Sequence, residues 1–143
     1  ASLEVGITVG RSNPLFHQEQ SSVSPDALAG YPVILYSGQA SGPYSDIFRK
    51  LGIPRARQRI ATTSRSAIFE HLNTTHGYYL NSIYSDNIYQ SSPETATNRR
   101  TLRLENCNIR SEIGWMKHQD YILSDIAKEF VRGLKEYFPG SET

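Results

Sequence analysis

The stretch Tyr31–Gly52, YPVILYSGQASGPYSDIFRKLG, constrains the fold more than any other part of the chain. It opens with an uninterrupted apolar run, Val33-Ile34-Leu35-Tyr36. A short run of this kind, with β-branched members, suits a strand buried on both faces of a mostly parallel sheet. Ser37–Gly42 is small, polar and flexible. A helix follows: Ser41 can cap it, Pro43 suits its first turn, and Ile47, Phe48 and Leu51 share one apolar face. Gly52 stands where a left-handed C-cap is wanted. In an open α/β sheet, ligands gather outside the carboxyl ends of strands, against helix N-termini. The loop after this strand is therefore a candidate ligand site, although ordinary strand-to-helix loops look alike in every α/β domain.

The flanking sequence repeats the alternation. Ser2–Val9 places Leu3, Val5, Ile7 and Val9 on one face and Glu4, Gly6 and Thr8 on the other, which predicts a strand with one face buried. Gly10–Pro14 breaks it, and Phe16–Val23 reads as loop. Ser24–Gly30 reads as a miniature helix with Ser24 as cap and Pro25 in first position. Arg57–Thr62 is a short strand. Thr62-Thr63-Ser64 caps a second helix that runs to Thr74, with Ile68 and Leu72 inward. Gly77–Ile83 is a strand, Asp86–Arg100 a polar loop, and Thr101–Glu105 and Ile109–Met116 are strands. The last helix opens at Ser124 and Asp125, and its apolar face is Ile126, Ala127, Phe130, Val131, Leu134, Tyr137 and Phe138. The whole predicts an α/β sheet sandwich. If the turns Ser37–Ser41 and Thr62–Ser64 lie at one sheet edge, they form a neutral rim rich in donors, suited to a carboxylate, phosphate or sulfate.

Composition narrows the function. With 143 residues the chain is one domain, and 15 basic against 14 acidic residues leave a charge of +1, without the footprint of a nucleic-acid binder. The mean hydropathy is −0.48, and the apolar runs fall far short of the ~18–20 residues that span a bilayer. No signal-peptide pattern opens the chain. The single Cys107 rules out an internal disulfide, fits a reducing cytosol, and reads as a small buried hydrophobe. The chain has no nucleophile elbow, P-loop or dinucleotide fingerprint. His71 and His76 lack the spacing that puts two metal ligands on one helix face. Arg55, Arg57, Arg59 and Arg65, and Arg99, Arg100 and Arg103, read as solvated loop faces. Tyr78 and Tyr79 read as core and rim.

Four stretches carry a family likeness. Ser12-Asn13-Pro14-Leu15 looks like an "hPL" turn, and Val23–Ile34 like a "dL…yPli" segment. Leu72–Ser82 looks like a helix-to-strand "VaaGlGiallP", and Tyr121–Phe130 like a final "plSpaaraF" helix. In their order and spacing they resemble the C-terminal part of the effector-binding domain of LysR-type transcriptional regulators. Thr75 stands for the first family glycine and Ser82 for the family proline, while Gly77 is retained; the turn after that strand is expected to differ.

The resemblance implies a periplasmic-binding-protein-like (type 2) α/β fold of two lobes around a small effector. This chain would hold the second lobe, Ser2–Asn106, with a mixed, mostly parallel sheet flanked by helices. Cys107–Thr143 would be the return strand and C-terminal helix of a first lobe otherwise absent, as are the helix-turn-helix and linker helix. The family's effector loop falls on Tyr36, Ser37, Gly38, Gln39 and Ser41; Ser12, Asn13, Thr62, Thr63 and Ser64 are second candidates. No catalytic residue, metal or cofactor is implied. The expected function is to sense a polar or anionic small molecule, in the cytoplasm and as a homodimer, with DNA bound only through the absent helix-turn-helix and no membrane contact. A transporter's solute-binding protein and a small α/β enzyme are the rival readings. With its host lobe absent, the C-terminal helix is expected either to fold back or to pair with a second copy, and pairing is favoured.

Overall fold

The computed structural model describes residues 2–37, 43–83, 98–112 and 114–137. Its strands are β1 (Ser2–Gly10), β2 (Ser22–Val23), β3 (Val33–Tyr36), β4 (Arg59–Thr62), β5 (Tyr78–Ile83), β6 (Arg99–Leu104) and β7 (Arg110–Glu112). Its helices are α1 (Pro43–Lys50), α2 (Arg65–Thr74) and α3 (Asp125–Tyr137), and Pro14–His17 and Pro25–Gly30 form 3₁₀ turns. The chain divides into two compact units, Glu4–Ile109 and Arg110–Thr143 with Ala1–Leu3.

The first unit carries the strand order β2-β6-β1-β5-β3-β4. β1 is antiparallel to both neighbours, pairing Val9 with Tyr78 and Gly10 with Arg99. β3 is parallel to β4 and β5, and β2 to β6. Along this path β1 alone runs against the others, so the sheet is mixed and mostly parallel, as the apolar run of β3 predicts.

That run is explained by burial on both faces. Ile34 packs with Ile68 and Leu72 of α2, flanked by Ile60 and Tyr79. Val33 and Leu35 point the other way, into the main core with Val5, Ile7, Val9, Phe16 and Leu28, and there Ile47 and Phe48 of α1 pack against it. Gly52 closes α1 at φ 69°, the left-handed geometry that favours glycine.

Several local expectations are corrected. β1 is buried on both faces from Val5 onward, because it is an interior strand. Thr8 on its supposed outer face is buried and shares a 3.0 Å hydroxyl bond with Thr101. Phe16, read as loop, is buried under a 3₁₀ turn. The Ser24 segment is 3₁₀, and the Ser24 side chain makes no capping bond. β6 begins at Arg99 and draws Arg99 and Arg100 out of the predicted loop. The strand expected to reach Met116 ends at Glu112, and Met116 is exposed.

Tyr78 is fully buried, and its hydroxyl has no hydrogen-bond partner among the described residues. Burial pushes its pKa up to about 12. An unsatisfied buried hydroxyl costs about 1–3 kcal/mol, so Tyr78→Phe is expected to hold or raise stability in urea melts at pH 7. The folded state holds this proton more tightly than the unfolded state, whose tyrosine titrates near 10. Wild-type stability therefore falls as pH rises from about 10 to 12, and the Phe variant should lose that component of the fall.

In the second unit, Arg110 donates to the Ser2 hydroxyl and carbonyl, each at 2.9 Å, which ties β7 to the start of β1. The Ser124 hydroxyl accepts from the Ala127 amide at 3.2 Å and caps α3, as predicted. Lys128–Asp125 and Arg132–Glu129 pairs line its polar side. None of its residues is buried: Ile126 is 84% and Phe130 66% exposed. Phe138 of the predicted apolar face lies outside the described residues.

Candidate functional site

β3 and β4 are adjacent and parallel, and Tyr36 pairs with Thr62. Their carboxyl ends therefore leave the sheet side by side. Ser37, which follows β3, and Thr62–Ser64, before α2, thus lie at one edge, the condition the sequence reading set for a shared rim. β5 runs the same way and continues past its contact with Ile34, so Leu80–Ile83 extend toward that edge too.

The Thr62–Ser64 turn is held by its own atoms. The Thr62 hydroxyl accepts from the Ser64 amide at 3.2 Å, and the Ser64 and Ser66 hydroxyls share a bond of 2.7 Å. Ser64 is the N-cap of α2, in extended conformation, but its side chain makes no capping bond. The first-turn amides of α2 are thus left without the usual side-chain acceptor, the arrangement in which a helix end attracts an anion. No acidic residue stands in that turn, and the exposed Arg65 opens it. Tyr36, Ser37, Thr63 and Ser64 are exposed at this edge, and Thr62 is half-buried. Gly38, Gln39 and Ser41 lie outside the described residues. Arg65 joins the set as a residue that the sequence reading left among solvated arginines. The signal available was its place directly after the Thr-Thr-Ser cap.

Ser12 and Asn13 do not join it. They follow Gly10, and the pairing of Val9 with Tyr78 and of Tyr78 with Val33 puts that end of β1 at the opposite edge, beside the start of β3. Asn13 is fully buried: its amide donates to the His76 carbonyl at 2.6 Å, and its oxygen accepts from the Leu15 amide at 2.9 Å. Ser12 donates to the Asn73 carbonyl at 3.2 Å. Ser12 thus fastens the turn after β1 to the last turn of α2, and Asn13 fastens it to the segment that follows α2. Among the described residues no three or more His, Cys, Asp or Glu side chains group to hold a metal. No described helix is long and apolar enough to cross a membrane.

No protein-family model matches the chain, and no curated protein matches it. Solved structures do. The LysR-family regulator HinK from Pseudomonas aeruginosa superposes with a TM-score of 0.64 at 15% identity, over 95% of this chain and 45% of HinK. The effector-binding domain of QuiR, in complex with shikimate, gives 0.56 at 15% identity, over 95% of this chain and 61% of that one. The regulatory domain of CcmR from Synechocystis, in complex with 2-PG, gives 0.56 at 14%, over 99% and 66%. The fold is that of a LysR-type effector-binding domain. It is the periplasmic-binding-protein-like type 2 fold expected from the sequence. The chain spans about half the length of HinK. Within this LysR-type fold, the edge shared by Tyr36 and Thr62 lies where an open α/β sheet receives ligands.

Proposed function

We propose that this chain is the effector-sensing, non-catalytic part of a cytoplasmic LysR-type transcription regulator. It would contribute the second lobe, Ser2–Asn106, together with the return strand and C-terminal helix of the first, Cys107–Thr143. The small molecule is polar or anionic and sits at the carboxyl edge of β3 and β4. Ser37 faces it from the end of β3, and Thr62, Thr63 and Ser64 from the turn before α2, with Arg65 supplying positive charge; Gly38, Gln39 and Ser41, the other candidates from the sequence, lie outside the described residues. The observation that carries this reading is the side-by-side ending of β3 and β4 at Tyr36 and Thr62, in a fold whose relatives QuiR and CcmR are seen with shikimate and 2-PG. DNA contact belongs to a helix-turn-helix outside this chain, and the regulator acts as a homodimer. Ile126 and Phe130, exposed on α3, are consistent with a surface that a partner covers.

An NMR titration of the labelled chain with shikimate and with inorganic phosphate tests the site. Amide shifts are expected at Ser37, Thr63, Ser64 and Arg65. Binding should be weak, about millimolar or −4 kcal/mol, because one lobe supplies only part of the contacts. Arg65→Ala should weaken phosphate more than shikimate, whose single carboxylate carries less charge at pH 7. Shifts clustered at Ser12 and Asn73, or none at either edge with both probes, would refute the assignment.

A further inference from the structure

Five of the chain's 15 basic residues, and none of its 14 acidic ones, lie in residues 49–59. The near-zero total charge hides this segregation, since the rest of the chain is acidic on balance. Arg49 and Lys50 end α1, Arg55 and Arg57 lie in the connection that follows, and Arg59 opens β4. All five are exposed. Among the described residues Arg55, Arg57 and Arg59 have no carboxylate partner.

The topology brings them to one end of the β3–β4 pair. β4 is parallel to β3, with Arg59 in register with Val33, so the chain through α1 returns to the amino end of β3 before β4 begins. Leu51 and Ile53 on this return are buried in the main core, and the Ile53 amide donates to the Phe48 carbonyl at 2.9 Å. The Val33 amide donates to the Gln58 carbonyl at 3.1 Å. Apolar residues thus hold the return against the core, and the basic ones are left outside. No large apolar or aromatic side chain is exposed among residues 49–59.

We propose that this basic strip binds the phosphate backbone of duplex DNA, without reading sequence. The choice of partner follows from what the strip lacks. A protein interface is held by buried aromatic and apolar anchors, with rim charges contributing little. A single strand is held by stacking its bases on aromatic side chains. A duplex needs neither. It presents one charge per about 1.7 Å of axis, and each phosphate neutralised releases counterions. Four of the five residues are arginine, whose planar fork matches phosphate oxygens two at a time. Base-reading contact stays with the helix-turn-helix proposed outside this chain. The strip lies at the amino end of β3 and β4, opposite the effector edge, and the inference does not rest on the effector site.

The test uses the full 143-residue chain and a fluorescein-labelled duplex of about 20 base pairs, read by anisotropy from about 50 to 200 mM salt. Affinity should fall steeply with salt and be equal for unrelated sequences. Arg55→Gln, Arg57→Gln and Arg59→Gln together should weaken binding about tenfold or more at the low-salt end. The slope of log affinity against log salt should flatten by about one per arginine removed. Lys117→Gln, Lys128→Gln and Lys135→Gln together are the matched control. They remove the same charge from exposed residues elsewhere and should leave affinity and slope near wild type. Should the triple arginine variant fail to fold by circular dichroism, Arg55→Gln with Arg57→Gln, both outside β4, reads the same slope. Equal losses for the two triple variants would reduce the effect to net charge and overturn the proposal, as would no binding at the low-salt end. Tighter binding of a single strand of equal charge would overturn it in favour of base stacking. Binding of phosphatidylglycerol vesicles with the duplex left unbound would overturn it in favour of a lipid surface. Polyglutamate binding as tightly as the duplex would overturn it in favour of an acidic protein.

Discussion

Gly10→Ala is expected to unfold the sheet-bearing unit. A Cβ at position 10 would lie 1.7 Å from the Leu72 carbonyl oxygen and 2.5 Å from its carbon. The obstacle is backbone, so no rotamer change relieves it. Leu72 is fully buried near the end of α2, in the cluster with Ile34 and Ile68. Gly10 is the last residue of β1 and pairs with Arg99 of β6. Relief therefore requires either that α2 lift from the sheet, uncovering Ile34, or that β1 shift against its neighbours. Ordinary overpacking costs about 1–3 kcal/mol, and a backbone clash of this depth belongs at or above the top of that range. For a domain of marginal stability, ~5–15 kcal/mol in total, the loss is severe. Urea melts followed by circular dichroism should give a midpoint far below wild type, or no cooperative transition. Gly30→Ala is the matched control, since a Cβ there meets nothing within 4 Å. Equal midpoints for the two variants would show that α2 does not close on β1 as described.

The contrast between these glycines marks what a sequence can and cannot disclose. Gly10 reads as the residue that breaks the first strand, whereas it is the strand's last paired residue, and its necessity comes from a helix that begins 55 residues later, at Arg65. β3 and α1 were legible because their determinants are local. Burial on both faces leaves an unbroken apolar run, and helix ends select for particular cap residues. Thr62–Ser64 does precede α2 as the sequence indicates, although Ser64 makes no side-chain capping bond, and parallel pairing of β3 with β4 sets that turn beside the end of β3. Thr8 was misread because its hydroxyl is satisfied by Thr101, 93 residues on. Asn13 reads as a ligand candidate because a polar side chain after a strand looks exposed; the His76 carbonyl that draws it inside is 63 residues away. Polar residues report their surroundings poorly whenever their partners are distant, since burial of a polar group needs only that it be hydrogen-bonded.

Arg100 is the strongest instance, and its loss is expected to be the second most damaging substitution. Asn98-Arg99-Arg100 reads as the end of a polar loop, and Arg99, Arg100 and Arg103 all read as solvated. Each has a different fate. Arg99 stacks over the Phe69 ring at 4.1 Å, and Arg103 pairs with Glu4 at 2.9 Å. Arg100 is 3% exposed. One terminal nitrogen donates to the Phe16 carbonyl at 3.1 Å and to the Gln18 carbonyl, and the other donates to the Gln20 carbonyl at 3.1 Å. A single guanidinium thus gathers the carbonyls of the segment between β1 and β2, beginning at the buried Phe16. The planar fork allows several fixed bonds from one group, which lysine with its single ammonium cannot reproduce. Arg100→Met keeps most of the apolar stem but strands the carbonyls; hydrogen bonds to a charged group contribute about 1.5–3 kcal/mol, and unsatisfied buried acceptors cost about 1–3. Destabilisation of about 3 kcal/mol is expected for Met and nearly as much for Lys. Because the clamp is buried, the difference from wild type should persist in 0.5–1 M salt, conditions that screen surface pairs to about 3–4 Å. Hydrogen exchange at Phe16–Gln20 should rise in both variants more than at β3 and α2. If Arg100→Lys matches wild type in its urea midpoint and in exchange at this segment, then charge alone suffices and the fork is not what holds the segment in place.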